Sequence, residues 1–247
     1  MRGFLPILLL LASCGPGVFS APAPPTEIRV AAAANLANIF DQLASEAEKE
    51  IGVKLIPSFA STAQLTTQIE SGAPFDLFLA ADTDHPGRLA ASGLADTPRR
   101  YALGRLVIWA PHRPDLQSLA DLQKPDVKTV AVANPDLAPY GLAAVEALRT
   151  LGLFERLKPK LVFAQNISAA FTYAETGNAD VAITAFSLIA SKHPHAPLVP
   201  ANLHRPIAQA LCVLRRTSQP QAAKKCADFF AGPDAAAIFV RNGYQTP

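Results

Sequence analysis

The chain has 247 residues, half of them hydrophobic, 17% charged, with a net charge of +2. So much apolar content excludes disorder, and 22 prolines exclude a long coiled coil. No stripe of Lys and Arg runs along any segment, so no nucleic-acid partner is expected.

The first twenty residues, MRGFLPILLLLASCGPGVFS, join one positive charge to an apolar run and a Gly-Pro-Gly break. This is the pattern of an export signal, and Phe4 to Ala12 is too short to remain as a membrane span. The chain is therefore expected outside the cytoplasm. Two processing outcomes stay open: cleavage after Ser20, or lipid attachment at Cys14, since LASC resembles a bacterial lipoprotein box. Without Cys14, the remaining Cys212 and Cys226 are either two buried thiols or a disulfide, which an oxidising compartment permits.

After the linker-like APAPP, TEIRVAAAA reads as a buried strand. NLANIFDQLASEAEKEIG then reads as a helix, with Leu36, Ile39, Phe40, Leu43 and Ala47 on one face and Gly52 at its end. VKLIPSF is a second strand, STAQLTTQIESG a helix and FDLFLAAD a third strand. From GRLVIWAP the pattern restarts with a strand, the segment SLADLQKPDV, the strand KTVAVANP and the helix YGLAAVEALRTLG. The strand KLVFA, the helix SAAFTYAETG and the strand ADVAITA follow. The tail supplies a strand in PIAQALCVLRR and one or two helices that return to the first unit.

Alternating strands and helices predict an α/β fold of two lobes, each a mostly parallel sheet flanked by helices. The predicted bounds are 27–105 with 206–247 for lobe 1 and 106–205 for lobe 2. The crossings near Gly104 to Leu106 and Arg205 to Ile207 would form a hinge, with a ligand cleft between the lobes.

In such sheets ligands bind beyond the carboxyl ends of the strands, where helix N-termini point. The residues expected there are Ala34 and Asn35, Ser61 and Thr62, Tyr140 and Gly141, and Asn166 and Ile167. None is charged. Helix N-termini present unpaired N–H groups and partial positive charge, and hydroxyl and amide side chains add donors. Four such turns facing one another suit a small, multivalent oxyanion. Ser, Thr and Asn are equally the usual N-cap residues of any helix, so each position taken singly is also explained as a cap.

No nucleophile elbow, H-E-x-x-H pair or Cys/His cluster at metal spacing is present, so neither enzyme activity nor a cofactor is expected. The histidines, His85, His112, His193, His195 and His204, fall mostly beside prolines in apparent loops. Asp76 and Asp82 flank the third strand and are expected to cap its ends. An organic carboxylate would require an Arg in the cleft, and none falls in these turns.

The blocks VAAAANL, SFASTAQLTTQIESGAPFDLFLAAD, APYGLAAVEAL, GNADVAITAFS and FFAGPDAAAIFVRNGY resemble those of bacterial periplasmic molybdate-binding proteins, the solute receptors of ABC importers. The resemblance spans about Glu27 to Tyr244. It implies a two-lobed binding protein, a monomer, that closes over molybdate or tungstate through neutral hydrogen bonds and delivers it to a membrane permease. By position it implies ligand contacts from Asn35 and Thr62, from Tyr140 and from the Ile167 amide, with Ala34 and Ser61 beside them. These residues touch oxyanion oxygens and are not direct ligands of the metal. Ala185 stands where some members have a donating Tyr, a departure for which the Tyr140 phenol could compensate. The alternatives are a receptor for another small anion such as sulfate, and an enzyme on the same scaffold.

Overall fold

The computed structural model describes residues 26–247. The export-signal segment and Cys14 lie outside them. Strand β1 (Thr26–Ala33) leads through a single 3-10 turn (Ala34–Leu36) to α1 (Phe40–Ile51), β2 (Val53–Ala60), α2 (Thr62–Glu70), β3 (Leu77–Leu79), α3 (Asp84–Ala91) and β4 (Arg99–Gly104). The chain then enters β5 (Leu106–Trp109), β6 (Val130–Ala133), α4 (Pro139–Thr150), α5 (Phe154–Leu157), β7 (Leu161–Ala164), α6 (Ile167–Glu175) and β8 (Val181–Ala185). It returns through β9 (Ile207–Val213) and ends with α7 (Pro220–Phe230) and α8 (Pro233–Arg241).

These strands make two mixed sheets, ordered β2-β1-β3-β9-β4 and β5-β8-β6-β7. In each, one strand next to a chain crossing runs against its neighbours: β9 is antiparallel to β3 and β4, and β5 is antiparallel to β8. The first sheet is covered on one face by α1, α7 and α8 and on the other by α2 and α3, in separate apolar cores. Burial on both faces explains the near-continuous apolar runs of β1 and β3.

Several local expectations change. The run NLANIF is not one helix with α1: Asn35 and Leu36 lie in the 3-10 turn, and α1 begins only at Phe40. The Asn35 side chain, bound to Gln209 and Tyr244, holds that turn away from helical continuation. Helix α3 and strand β4 were not expected. The first is short and carries Pro86 and Gly87 near its start, which weakens its periodicity. His85 therefore sits on a helix and not in a loop, its ring 2.6 Å from Asp82.

Only one of the two aspartates serves the start of β3: Asp76 accepts from the Arg29 N–H of neighbouring β1 at 2.8 Å and the Thr217 hydroxyl at 2.6 Å, whereas Asp82 accepts from the His85 N–H at 3.0 Å and so caps the first turn of α3. Of the two readings of the cysteine pair, the free one holds: Cys212 and Cys226 are both buried and unbonded. Burial pushes both thiols up to about 12. Among the described residues no helix is long and apolar enough to cross a membrane.

Candidate functional site

In each sheet one parallel pair of strands ends on alanine. Ala33 of β1 pairs with Ala60 of β2, and Ala133 of β6 with Ala164 of β7. Small side chains at these four ends let the following helices approach closely. Helix α4 does so most tightly, since a Cβ on Gly141 would lie 2.1 Å from the Ala133 carbonyl oxygen. Where the strand ends of the two sheets converge there is a tight cavity of about 10 Å³, roughly the room one water needs. Its lining comprises Ala33, Ala34 and Asn35 after β1, Ala60, Ser61 and Thr62 after β2, Ala81 after β3, Ala138, Pro139 and Tyr140 at α4, and Ile167 at α6.

No lining residue carries a charge. Of the nine positions expected from sequence, six meet here, Ala34, Asn35, Ser61, Thr62, Tyr140 and Ile167, while Gly141 and Asn166 stand next to lining residues without joining the wall. Ala185 is not part of the lining. It is fully buried at the end of β8, paired with Leu106 in the core of the second lobe.

The donors sort by what they already bind. The Thr62 hydroxyl oxygen accepts from the Ala81 N–H at 3.1 Å, which fixes the side chain and leaves its own proton to give. Ser61 behaves as a cap: its hydroxyl faces Gln64 Oε1 at 2.8 Å and receives the Gln64 N–H at 3.4 Å, completing a capping box. Around the helix starts, Ala63 N–H bonds the Leu137 carbonyl, Leu142 N–H bonds the Ala138 carbonyl and Ala169 N–H bonds Asn166 Oδ1. The N–H groups of Thr62, Tyr140 and Ile167 remain uncommitted at the positive ends of three helices.

Tyr140 differs from the expectation that its phenol compensates for Ala185. Its ring is buried, and its hydroxyl accepts from Gln209 Nε2 at 2.9 Å at the crossing between the lobes. There it lies so near Gly104 that a Cβ would be 2.2 Å from it. Burial holds the Tyr140 and Tyr244 phenols well above their ordinary range, so both stay neutral.

Asn35 is 1% exposed and also bound behind the cavity, its Nδ2 giving to Gln209 Oε1 at 3.0 Å and to Tyr244 Oη at 2.8 Å. Its Oδ1 is buried without a partner. Sequence reasoning missed Gln209, Tyr244 and the Ala81 amide. Gln209 had a signal: one long polar residue inside the apolar run PIAQALCVL.

The lobes are clasped around this cavity. Ser168 on α6 gives to the Ala34 carbonyl at 2.7 Å, and Ser187 after β8 gives to the Asn35 carbonyl at 3.0 Å. Asn38 gives to the Leu188 carbonyl at 2.6 Å, and Ala63 to Leu137 at 3.1 Å. The molecule is thus in a closed form. Among the described residues no three His, Cys, Asp or Glu side chains are grouped to hold a metal ion.

A two-lobed α/β protein with an uncharged, donor-lined cavity enclosed between its lobes is built to capture a small solute. The bacterial extracellular solute-binding protein family model matches residues 28–245, and the chain belongs to that family. It is 36% identical over 228 residues to the molybdate-binding protein of Rhodobacter capsulatus, covering 91% of this chain and 90% of that one. To the molybdate-binding protein of Azotobacter vinelandii it is 37% identical over 246 residues, covering 95% and 96%. The structure of the Azotobacter vinelandii periplasmic molybdate-binding protein superposes with a TM-score of 0.84 at 29% identity, over 89% of this chain and 99% of that one. These relatives are solute-binding proteins.

Proposed function

We propose that the chain is an exported receptor that captures molybdate, and tungstate with it, and delivers the anion to an ABC permease. The observation that carries this reading is the cavity itself, where the Thr62 hydroxyl and the N–H groups of Thr62, Tyr140 and Ile167 are free to donate and no charged side chain is present. A buried dianion is tolerable only when each oxygen is hydrogen-bonded, and donors at helix N-termini provide this without a counter-ion. The names of the relatives point to molybdate among tetrahedral oxyanions. Sulfate is smaller and would leave the same donors at longer, weaker distances.

In this reading the protein acts as a monomer and performs no covalent step. Segments 27–105 and 206–247 form one lobe and 106–205 the other, and they close about the crossings at Gly104–Leu106 and Arg205–Ile207. Closure seals the anion from water, where each donor bond to it is worth most. The leader is removed after Ser20 or exchanged for a lipid at Cys14, and either outcome leaves the receptor outside the cytoplasm.

A thermal-shift screen of the purified protein against molybdate, tungstate, sulfate, phosphate and several amino acids tests the reading, because a ligand bound only by the folded state raises the melting temperature. A shift with molybdate and tungstate alone is expected. A shift with sulfate or an amino acid instead would overturn it.

A further inference from the structure

Behind the cavity lies a buried polar cluster that the capture of an anion does not by itself require. Gln209, on the crossing strand β9, is fully buried. It touches groups from three places at once: Asn35 after β1, Tyr101 of β4 at 2.8 Å, and Tyr140 at the start of α4 in the second lobe. Tyr244 closes the cluster by accepting from Asn35 Nδ2 and giving to the Asn35 carbonyl at 3.0 Å. The groups facing Gln209 are thus one carboxamide and two neutral phenols.

Asn35 Oδ1 is the odd atom, an acceptor that is buried, unpartnered and carried by a residue of the cavity wall. Left so beside an anion, it would repel the ligand. The two carboxamides have a second arrangement that keeps their contacts. If Asn35 and Gln209 turn together by half a rotation about their terminal bonds, Asn35 Oδ1 accepts from Gln209 Nε2 and from the Tyr244 hydroxyl, whose single proton leaves the Asn35 carbonyl to the Ser187 hydroxyl. Gln209 Oε1 then accepts from the Tyr140 hydroxyl, and Tyr101 keeps its bond to the Ala80 carbonyl, now 2.9 Å, while accepting from Gln209. The atom left over is then Asn35 Nδ2, a donor.

Resting on the oxyanion-receptor reading, we propose that Gln209 is a positioning residue of the site: it ties the Asn35 carboxamide to the Tyr140 phenol, so that the pair turns as a unit when an anion enters. In the closed form Tyr140 of the second lobe meets Gln209 of the first, so the Asn35 donor is held from both lobes. Gln209 acts through Asn35 and touches no ligand atom.

The test is a double-mutant cycle read by titration calorimetry with molybdate. Gln209→Met keeps the side-chain length and removes both amide functions. It is expected to weaken binding about tenfold, the scale of one hydrogen bond to a charged group. In an Asn35→Ala background the same change is expected to cost less than about twofold, a coupling that a merely structural role would not produce.

Tyr244→Phe, which removes the other partner of Asn35 Nδ2, should show the same coupling and serves if Gln209→Met fails to fold. Equal losses in both backgrounds, or wild-type affinity in both single variants, would overturn the assignment. Wild type fixes the ligand separately: if it binds sulfate and not molybdate, the molybdate reading falls and the cycle runs on sulfate with the same criteria.

Discussion

Two cavities lie between the lobes and share three wall residues, Ala81, Ala138 and Pro139, yet their chemistry is opposite. The inner one carries no charge and faces the N-termini of α2, α4 and α6. The outer one, beside the chain crossings, is lined by Asp82, Asp84, Asp136 and Glu146, with His85 and Arg205 among them. Its basic side chains are already engaged, His85 with Asp82 at 2.6 Å and Arg205 with Glu146 at 2.7 Å. The acidic cavity is the larger of the two, about 260 Å³, but an anion entering it meets carboxylates. Free donors with no negative neighbours, and not the available space, mark the inner cavity as the anion site.

The sharpest way to break this comparison is to remove a donor from the inner cavity. Thr62→Val keeps the shape and deletes the one hydroxyl whose proton is free, and Asn35→Ala removes the amide. Each is expected to cost about 1.5–3 kcal/mol of binding, or at least tenfold in Kd by titration calorimetry, while the ligand-free protein still melts cooperatively. Next comes the close approach behind the site. A methyl on Gly104 would lie 2.2 Å from Tyr140 Oη and 2.8 Å from Gln209 Nε2, so Gly104→Ala should obstruct closure. Overpacking of this kind costs about 1–3 kcal/mol, seen as weaker binding together with a lower Tm.

The buried phenols give a smaller effect that depends on pH. Tyr101, Tyr140 and Tyr244 all have folded values raised by burial, so the stability they contribute is intact below the unfolded value of about 10 and is lost as pH rises above it. Thermal unfolding should show no tyrosine-linked loss between pH 7 and pH 9 and a falling Tm beyond about pH 10. The weakest effect belongs to the outer cavity. Asp136→Asn removes an exposed carboxylate, and its consequence for Kd should stay within about twofold and vanish at high salt. A tenfold gain there would mean that the acidic cavity takes part in binding.

Much of this organisation was readable in the residues. The long apolar runs of β1, β6 and β8 and the helical spacing in α4 placed the two sheets, and the rule that ligands lie beyond strand ends selected turns that do meet in one cavity. The hydroxyls of SFASTAQL divide the labour in a way spacing alone could not assign: Ser61 caps α2 through Gln64, and Thr62 is oriented by Ala81 from another strand. Partners distant along the chain were the hidden part. Asn35 is held by Gln209 and Tyr244, 174 and 209 residues away, and only folding reveals that the Tyr140 phenol turns to the crossing strands. Helix α3 was obscured by Pro86 and Gly87, which are tolerated in its first turn but look like a loop in sequence.

The account stands or falls on whether a dianion is held between the lobes by neutral groups alone, and a crystal structure of the protein with molybdate examines this directly. The expected result is an anion in the inner cavity, bonded to the Thr62 hydroxyl, the Asn35 amide and the N–H groups of Tyr140 and Ile167, with no Lys or Arg within hydrogen-bond distance. An anion gripped by a basic side chain, for instance in the surface groove that contains Arg29 and Arg216, would contradict it.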